Sequence, residues 1–433
     1  MRRRVVRAPL VAMLVALALV GAWTTSAAAE LDSAVLTTDV EFGTGITFRL
    51  EMPHAAAEPA SVEVRYGLPD SIVVRRSAAE FSVADGLLRA AFAWEPRDPL
   101  VVGTEVEYRF VVRSADGSET QTAPAAVSYI DATLPWTTAS EGLVEIWYYA
   151  GGEAVEMDAR AGIRAALDIL RDSFGAELER PTRLMLYADI AQMRRDLGGG
   201  TSAWVGGAAI ADLNVTVLHA PVVNRDPLDL QATVAHEITH IVLEHRTHNS
   251  FGGLPAWLHE GLATTVEAEI KERFAYGDIM TRLVDEDNFV SLRGITGSFP
   301  ADSQAAVNAY AQSNSLVTYI IETWGREGIA DLLEAYAGGV SDNEAVQAAL
   351  GISLDELDRA WLGTHGVDSP TFSALTQPEI AGATAPPDGE GTPPARPAPD
   401  PVVAAAAALA VIAAAATVLL VRRVRVARGY ARY

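Results

Sequence analysis

The stretch Val-Ala-His-Glu-Ile-Thr-His-Ile-Val-Leu, residues 234–243, decides how the rest of this 433-residue chain is interpreted. It places the pattern His-Glu-x-x-His inside an apolar run that is compatible with a helix. On a helix, His236 and His240 project from one face, one turn apart. Two ring nitrogens can then reach one Zn²⁺ ion at about 2.0–2.1 Å. Glu237 adjoins the first histidine, where a carboxylate can take a proton from water held by the metal. The alternative is a helix whose histidines are merely buried and hydrogen-bonded.

Composition limits which metal sites and which partners are possible. The chain has no cysteine, so a metal site must use His, Asp and Glu. Its net charge is −23, but nine arginines lie in the two terminal segments, which leaves 24 basic against 56 acidic side chains elsewhere. An acidic surface of this kind argues against nucleic acid as a partner. The length allows two or three domains.

The two ends of the chain predict export and membrane attachment. Residues 1–29 have an Arg-rich start, an apolar stretch and a final region of small residues that suits a cleavage site, as in a signal peptide. The alternative is an uncleaved membrane anchor. Residues 367–401 are rich in Pro and Ala and predict a disordered linker. Residues 402–421 are apolar and long enough to span a bilayer, and the basic residues 422–433 would form a cytoplasmic tail. We therefore expect a single-pass type I protein of the cell membrane whose other domains lie outside the cytoplasm.

Residues 30–132 predict a β-sandwich domain. Ile46–Leu50, Ser61–Tyr66 and Glu105–Val112 alternate apolar and polar residues, as half-buried strands do. Asp-Gly pairs at 85–86 and 116–117 are hairpin signals. Several short strands in about 100 residues are typical of an immunoglobulin-like or fibronectin-like sandwich. We see no group of chemically active residues in this domain and expect it to be a spacer or a binding module.

Residues 136–366 mix strand and helix patterns and contain the His-Glu-x-x-His stretch. Strands are predicted near 144–149, 183–187, 204–210 and 214–218, and helices near 156–174, 189–197, 229–245, 255–273, 303–324, 327–336, 342–350 and 353–362. The fold class is therefore α+β.

Two histidines leave a zinc site one protein ligand short. One class of zinc peptidase places Gly and His three and six residues after the second histidine, but Leu243 and Arg246 occupy those positions here. Another class uses a Glu on a following helix, about twenty residues on, and Glu260 fits. Small residues at 261 and 263 would let that helix approach the first one closely. Other candidates for the ligand are His259, His245, His248 and Glu244, and Glu244 and Glu267 could support the ligands from behind.

The pattern His-Glu-Ile-Thr-His, followed by Trp-Leu-His-Glu-Gly-Leu-Ala at 257–263, resembles the gluzincin, or peptidase MA, superfamily of zinc metallopeptidases. The stretch 309–317, with Tyr319 and Trp324-Gly325, looks like a bacterial, membrane-anchored branch. The resemblance covers about residues 144–362. It implies a thermolysin-like or gluzincin-like domain.

The resemblance also implies roles for single residues. It assigns His236, His240 and Glu260 as zinc ligands and Glu237 as general base. Tyr310 becomes the candidate for stabilising the oxyanion, although it could also be a plain core aromatic, a role that suits Tyr319 better.

One departure bears on the substrate. The aminopeptidase branch carries a Gly-x-Met-Glu-Asn strand that binds the free amine of its substrate. The corresponding Gly-Gly-Ala-Ala-Ile at 206–210 lacks Met-Glu-Asn. We therefore expect an edge strand that pairs with an extended peptide instead.

The sequence thus predicts a membrane-anchored zinc metallopeptidase that acts outside the cytoplasm on peptide or protein substrates. One alternative is a surface binding or adhesion protein whose zinc-peptidase fold is structural or inactive. Another is a zinc hydrolase that acts on a non-peptide amide, such as cell-wall material. The sequence gives no oligomeric state.

Overall fold

A computed structural model describes residues 29–367 except 31–32, 55–57, 70, 72, 98–99, 198–205, 224, 250, 272–274, 298 and 300–302. The predicted signal peptide up to residue 28, the linker after residue 367, the membrane span and the basic tail lie outside the described residues. Within the described residues, no helix combines the length and the apolarity needed to cross a membrane.

The first domain consists of two sheets that share one core. Its strands are β1 (Ala29–Glu30), β2 (Val35–Glu41), β3 (Gly45–Pro53), β4 (Pro59–Gly67), β5 (Arg75–Ala78), β6 (Glu80–Ala84), β7 (Leu87–Trp94), β8 (Thr104–Ser114), β9 (Glu119–Gln121) and β10 (Ala125–Tyr129). One sheet has the order β1-β9-β8-β4-β5, with β10 also paired to β8, and the other has the order β2-β3-β7-β6. Phe48 and Leu88 of the second sheet pack with Val64 and Phe110 of the first. This arrangement is a β-sandwich, because two sheet faces bury one common apolar layer.

Both Asp-Gly pairs form the hairpins that the sequence predicts. Asp85 and Gly86 both have positive φ, 55° and 73°, and they join β6 to β7. Gly117, with a φ of 85°, joins β8 to β9. Asn or Asp followed by Gly suits such turns, because both tolerate the left-handed region.

The second domain is built on a five-stranded sheet. Its strands are β11 (Thr137–Glu141), β12 (Val144–Tyr148), β13 (Thr182–Tyr187), β14 (Gly207–Ile210) and β15 (Val215–His219), in the order β11-β12-β13-β15-β14. β12, β13 and β15 run parallel, whereas β11 and β14 are antiparallel to their single neighbours. Among the described strands, β14 therefore forms one edge of the sheet.

Eight helices complete this domain among the described residues. They are α1 (Gly152–Phe174), α2 (Ile190–Asp196), α3 (Pro227–Thr247), α4 (Ala256–Ile270), α5 (Tyr276–Asp285), α6 (Ser303–Ala337), α7 (Asp342–Leu350) and α8 (Leu354–Thr364). α6 is broken at Gly325, whose φ is 75°, in agreement with the two helices predicted there. α5 is absent from the sequence predictions. One apolar core joins α1, α3 and the helices after them to one face of the sheet.

The sandwich covers the opposite face of this sheet. Val101 and Val102, in the loop before β8, share a core cluster with Met185 and Tyr187 of β13. Arg183, also on β13, pairs with Glu105 across the same boundary at 2.5 Å. The sandwich therefore supports the sheet from the face opposite the helices that carry the candidate site.

Candidate active site

Helix α3 carries the His-Glu-x-x-His pattern in its buried middle. The helix begins with Pro227 at its first position, and the side chain of Asp226 accepts a hydrogen bond from Leu228 N, which caps the start. His236, Glu237 and His240 are all almost inaccessible to solvent. Buried polar side chains need partners or a ligand, so this burial already indicates a purpose beyond packing.

Helix α4 brings Glu260 to these histidines. Pro255 precedes the helix in an extended conformation and serves as its N-cap rather than as its first helical residue. The expectation that small residues 261 and 263 bring α4 close to α3 is wrong for Gly261. A Cβ atom at Gly261 would lie 2.6 Å from the backbone oxygen of Ser313 on α6. Since consecutive helix residues differ by about 100°, Glu260 faces α3 and Gly261 faces α6.

The three predicted ligands converge on one point. Glu260 Oε2 lies 3.6 Å from His236 Nε2 and 3.4 Å from His240 Nε2. All the ligand atoms of this trio lie within 4.8 Å of one another. Tetrahedral zinc with bonds of about 2.0–2.1 Å places its ligand atoms about 3.3 Å apart. None of these three atoms has a hydrogen-bond partner among the described residues. The donor set and the spacing therefore fit a zinc ion.

Glu267 supports the first of these histidines from behind. His236 Nδ1 lies 2.9 Å from Glu267 Oε2, in a buried contact. A carboxylate in this position fixes the tautomer and the orientation of a metal-binding imidazole. Of the two supporting residues that the sequence suggested, Glu267 fills the role. Glu244 instead lies 3.9 Å from His248, outside the site. The spacing itself indicates Glu267, which follows Glu260 by seven residues, or two helical turns.

Carboxylates outnumber imidazoles around the site. Burial by itself would lower the pKa of His236, but Glu260 and Glu267 raise it to about 10. Burial would likewise raise the pKa of Glu260, yet His240 and His236 hold it below its usual range. Two imidazoles thus face three carboxylates, because Glu237 lies nearby. Such an arrangement favours a divalent cation.

Glu237 is buried and has no partner of its own. Neither of its carboxylate oxygens has a hydrogen-bond partner among the described residues. Burial, as the main cause, raises the pKa of Glu237 to about 7. Gly207 on the edge strand β14 lies against it, since a Cβ atom there would be 3.0 Å from Glu237 Oε1. The sequence reasoning missed this contact, although glycine in a strand pattern often marks a close approach of backbone.

Tyr310 lies beside the same cluster. It is 1% exposed, and its hydroxyl has no partner among the described residues. Burial raises the pKa of Tyr310 well above 10, and the negative charge of Glu260 contributes next. Its ring packs edge-on against Phe299 at 5.1 Å. Tyr319 packs against Trp324 instead, as expected of the less suitable candidate.

The other candidate ligands lie elsewhere. His245 Nε2 lies 2.7 Å from Asn214 Oδ1. His248 lies nearest to Glu244. His259 does not join the ligand atoms, but its ring packs on that of His240, with centroids 4.4 Å apart. The structure thus groups only the trio of His236, His240 and Glu260 among the described residues.

Comparison with a protein-family model agrees with this geometry. The family model of the peptidase MA superfamily matches residues 163–365. No curated protein matches the chain. Among solved structures, aminopeptidase A of Legionella pneumophila, in complex with aspartic acid, shares 11% identity with a TM-score of 0.35, and the match covers 78% of this chain and 50% of that one. An aminopeptidase N family protein of Idiomarina loihiensis shares 10% identity with a TM-score of 0.35, and the match covers 75% and 74%. The chain thus spans half the length of the Legionella enzyme.

The family match spans α3 and α4, which bear the candidate metal ligands, and also α6, which bears Tyr310. The match therefore covers the same part of the chain in which His236, His240 and Glu260 converge. Residues 163–365 of the chain thus match the family model of the peptidase MA superfamily.

Proposed function

We propose that this protein is a zinc-dependent metallopeptidase that hydrolyses peptide bonds outside the cytoplasm. One observation carries the proposal. Three buried ligand atoms converge at 3.4–3.6 Å, and the unpartnered carboxylate of Glu237 lies on the same helix beside them. A purely structural zinc site uses four protein ligands, whereas a catalytic one leaves a position for water or substrate. Three ligands beside a carboxylate without a partner match the catalytic type.

The chain's own side chains divide the chemistry between them. His236, His240 and Glu260 would hold the zinc ion, which when bound lowers the pKa of water and polarises the scissile carbonyl. Glu237 accepts the proton of the attacking water and passes it to the leaving amine, as a general base that then becomes a general acid.

In this proposal, Tyr310 stabilises the oxygen of the scissile carbonyl. Its hydroxyl keeps its proton at neutral pH, because burial and nearby carboxylates raise its pKa. It can therefore donate a hydrogen bond to the developing oxyanion, and such donors stabilise transition states strongly in buried sites. The alternative, a plain core aromatic, is disfavoured by the buried hydroxyl that lacks a partner.

The substrate is proposed to be an extended peptide. β14 pairs with β15 alone among the described strands, so its second edge can accept a peptide strand. Gly207 on β14 lies directly against Glu237. A peptide that pairs with β14 would therefore pass in front of the general base.

The test uses the full-length chain, as wild type and as Glu237→Gln. Both are assayed against a mixture of peptides, and the products are identified by mass spectrometry. We expect the wild type to cleave peptides and the variant to bind zinc normally but to lose activity by at least about 100-fold, in line with the loss of a general base. One zinc per chain without any cleavage that depends on Glu237 would overturn the peptidase and leave a binding or adhesion protein.

The location is proposed from the terminal segments. Residues 1–29 export the chain, and residues 402–421 anchor it, with the immunoglobulin-like or fibronectin-like sandwich and the peptidase domain outside. Deletion of residues 402–433 should release the protein from the membrane fraction into the soluble exported fraction. A deletion variant that stays bound to membranes would contradict the anchor.

A further inference from the structure

The two histidine ligands are held in different ways. His236 Nδ1 is fixed by Glu267 at 2.9 Å. His240 Nδ1 is buried too, but it makes no hydrogen bond to any protein group among the described residues. Metal-binding histidines almost always donate their second N–H group to a carboxylate, carbonyl or water, which fixes the plane of the ring. The His240 ring therefore needs another means of support from the protein.

The ring of His259 provides a surface for that support. It lies 4.4 Å from the His240 ring, centroid to centroid, with an angle of 33° between the planes. On its other flank, His240 meets the His236 ring nearly at right angles, at 4.9 Å and 83°. The His240 ring is thus confined between two other rings. Offset and tilted contacts at these distances are favourable arrangements for aromatic rings.

In the structure, His259 is not one of the candidate metal ligands. It lies outside the trio of ligand atoms. Its Nε2 is buried and has no hydrogen-bond partner among the described residues. His259 thus presents a flat ring to His240 from the position next to Glu260 on α4.

We propose that His259 is a positioning residue that holds the plane of the His240 ring, in place of the hydrogen bond that His240 lacks. The stacked ring keeps His240 Nε2 directed at the point that it shares with Glu260 Oε2, 3.4 Å away. This inference rests on the proposed zinc site. It concerns metal binding rather than hydrolysis, so the two can fail separately.

The experiment measures zinc affinity in the full-length chain by competition with a chromophoric chelator. The variants are His259→Ala and His259→Gln, which remove the ring, and His259→Phe, which keeps a flat ring without nitrogen. We expect the first two to bind zinc about 10- to 100-fold more weakly, the usual effect of losing a ligand's support. We expect the Phe variant to stay within about threefold of the wild type. His365→Ala is the matched control. His365 also packs against an aromatic ring, that of Phe289, with an angle of 33° between the ring planes, but it lies outside the site.

A second readout separates positioning from general destabilisation. Cobalt replaces zinc in such sites and reports ligand geometry through its visible absorption. The Ala and Gln variants should show altered cobalt spectra while their metal-free melting temperatures stay near that of the wild type, and the Phe variant should keep the wild-type spectrum. If Ala fails to fold, the larger Gln variant gives the same comparison.

Two results would overturn the inference. In the first, Ala and Gln bind zinc with wild-type affinity and an unchanged cobalt spectrum. In the second, Phe binds as weakly as Ala, which would assign the effect to an imidazole nitrogen instead of the ring plane. A wild-type chain that binds no zinc would overturn the proposed function itself.

Discussion

Gly207→Ala should impair the site through a single methyl group. Gly207 has no left-handed backbone conformation, so only the space around it matters. The new Cβ atom would lie 2.3 Å from Leu218 Cδ2 and 3.0 Å from Glu237 Oε1. The first distance is about 1.2–1.7 Å shorter than an ordinary carbon–carbon contact. Leu218 is fully buried, so its side chain has densely packed surroundings, and we expect β14 and the Glu237 carboxylate to be displaced.

The displacement has a cost in stability and a cost in activity. Overpacking of this kind costs about 1–3 kcal/mol of unfolding free energy. A shift of about 1 Å in a catalytic group can reduce turnover about 100-fold. Thermal unfolding and peptide hydrolysis, measured on the same preparation, report the two effects. Gly277→Ala is the matched control, because a Cβ atom there meets nothing within 4 Å, and it should gain up to about 1 kcal/mol. Wild-type turnover in Gly207→Ala would refute the placement of Glu237 against β14.

Three further predictions concern the supports around the site. Glu267→Gln keeps the shape of the side chain but removes the negative charge next to His236 Nδ1. Zinc affinity in a competition titration should therefore fall about 10-fold. Unchanged affinity would show that this contact does not contribute to zinc binding. Burial lowers the pKa of His245 to about 4, below its unfolded value of about 6.5. As pH falls from 6.5 toward 4, the unfolded chain therefore binds more protons and stability is lost, on the order of 1 kcal/mol at pH 5. The side-chain amide of a His245→Gln variant can still donate a hydrogen bond to Asn214. Its melting temperature should therefore fall less between pH 7.5 and pH 5 than that of the wild type. An equal fall in both proteins would contradict the assignment of this pH dependence to His245. Finally, a chain that begins at residue 136 exposes the apolar sheet face covered by the sandwich, and it should melt at lower temperature or aggregate; an equally stable fragment would count against the supporting role.

The motif residues were predictable because their geometry is local. His236 and His240 are one turn apart on a helix, and the apolar residues around them predict that helix without knowledge of the fold. Glu260 required one step more, a second helix with a Glu at a familiar distance in sequence. Glu267 followed from helical spacing, since it lies two turns beyond Glu260. The structure brings all four side chains together.

The missed contacts join elements that lie far apart in sequence. Gly207 meets Glu237 only because β14 is the edge strand beside α3. Gly261 was assigned to the wrong neighbour, because the position of α6 relative to α4 is set by the whole core rather than by local pattern. The contact between the sandwich and the sheet depends on Val101 and Val102, which lie in an irregular loop. A loop has no hydrophobic periodicity from which its buried residues could be predicted.

α5 shows a different kind of omission. Tyr276–Asp285 is a short helix that follows closely on α4, and with only ten residues its apolar pattern is easily taken for a loop. Its side chains nevertheless contribute Met280 and Leu283 to the core. Short helices of this kind owe their stability to packing more than to propensity.

The central claim is that His236, His240 and Glu260 hold one zinc ion on which peptide hydrolysis depends. The most direct measurement strips the full-length chain with a chelator and restores zinc stepwise while peptide cleavage is followed. The account predicts that activity rises with added zinc up to one equivalent per chain, and that Glu260→Gln requires much more zinc to reach any activity. Cleavage that survives complete removal of metal, or one equivalent of bound zinc without any cleavage, would contradict it.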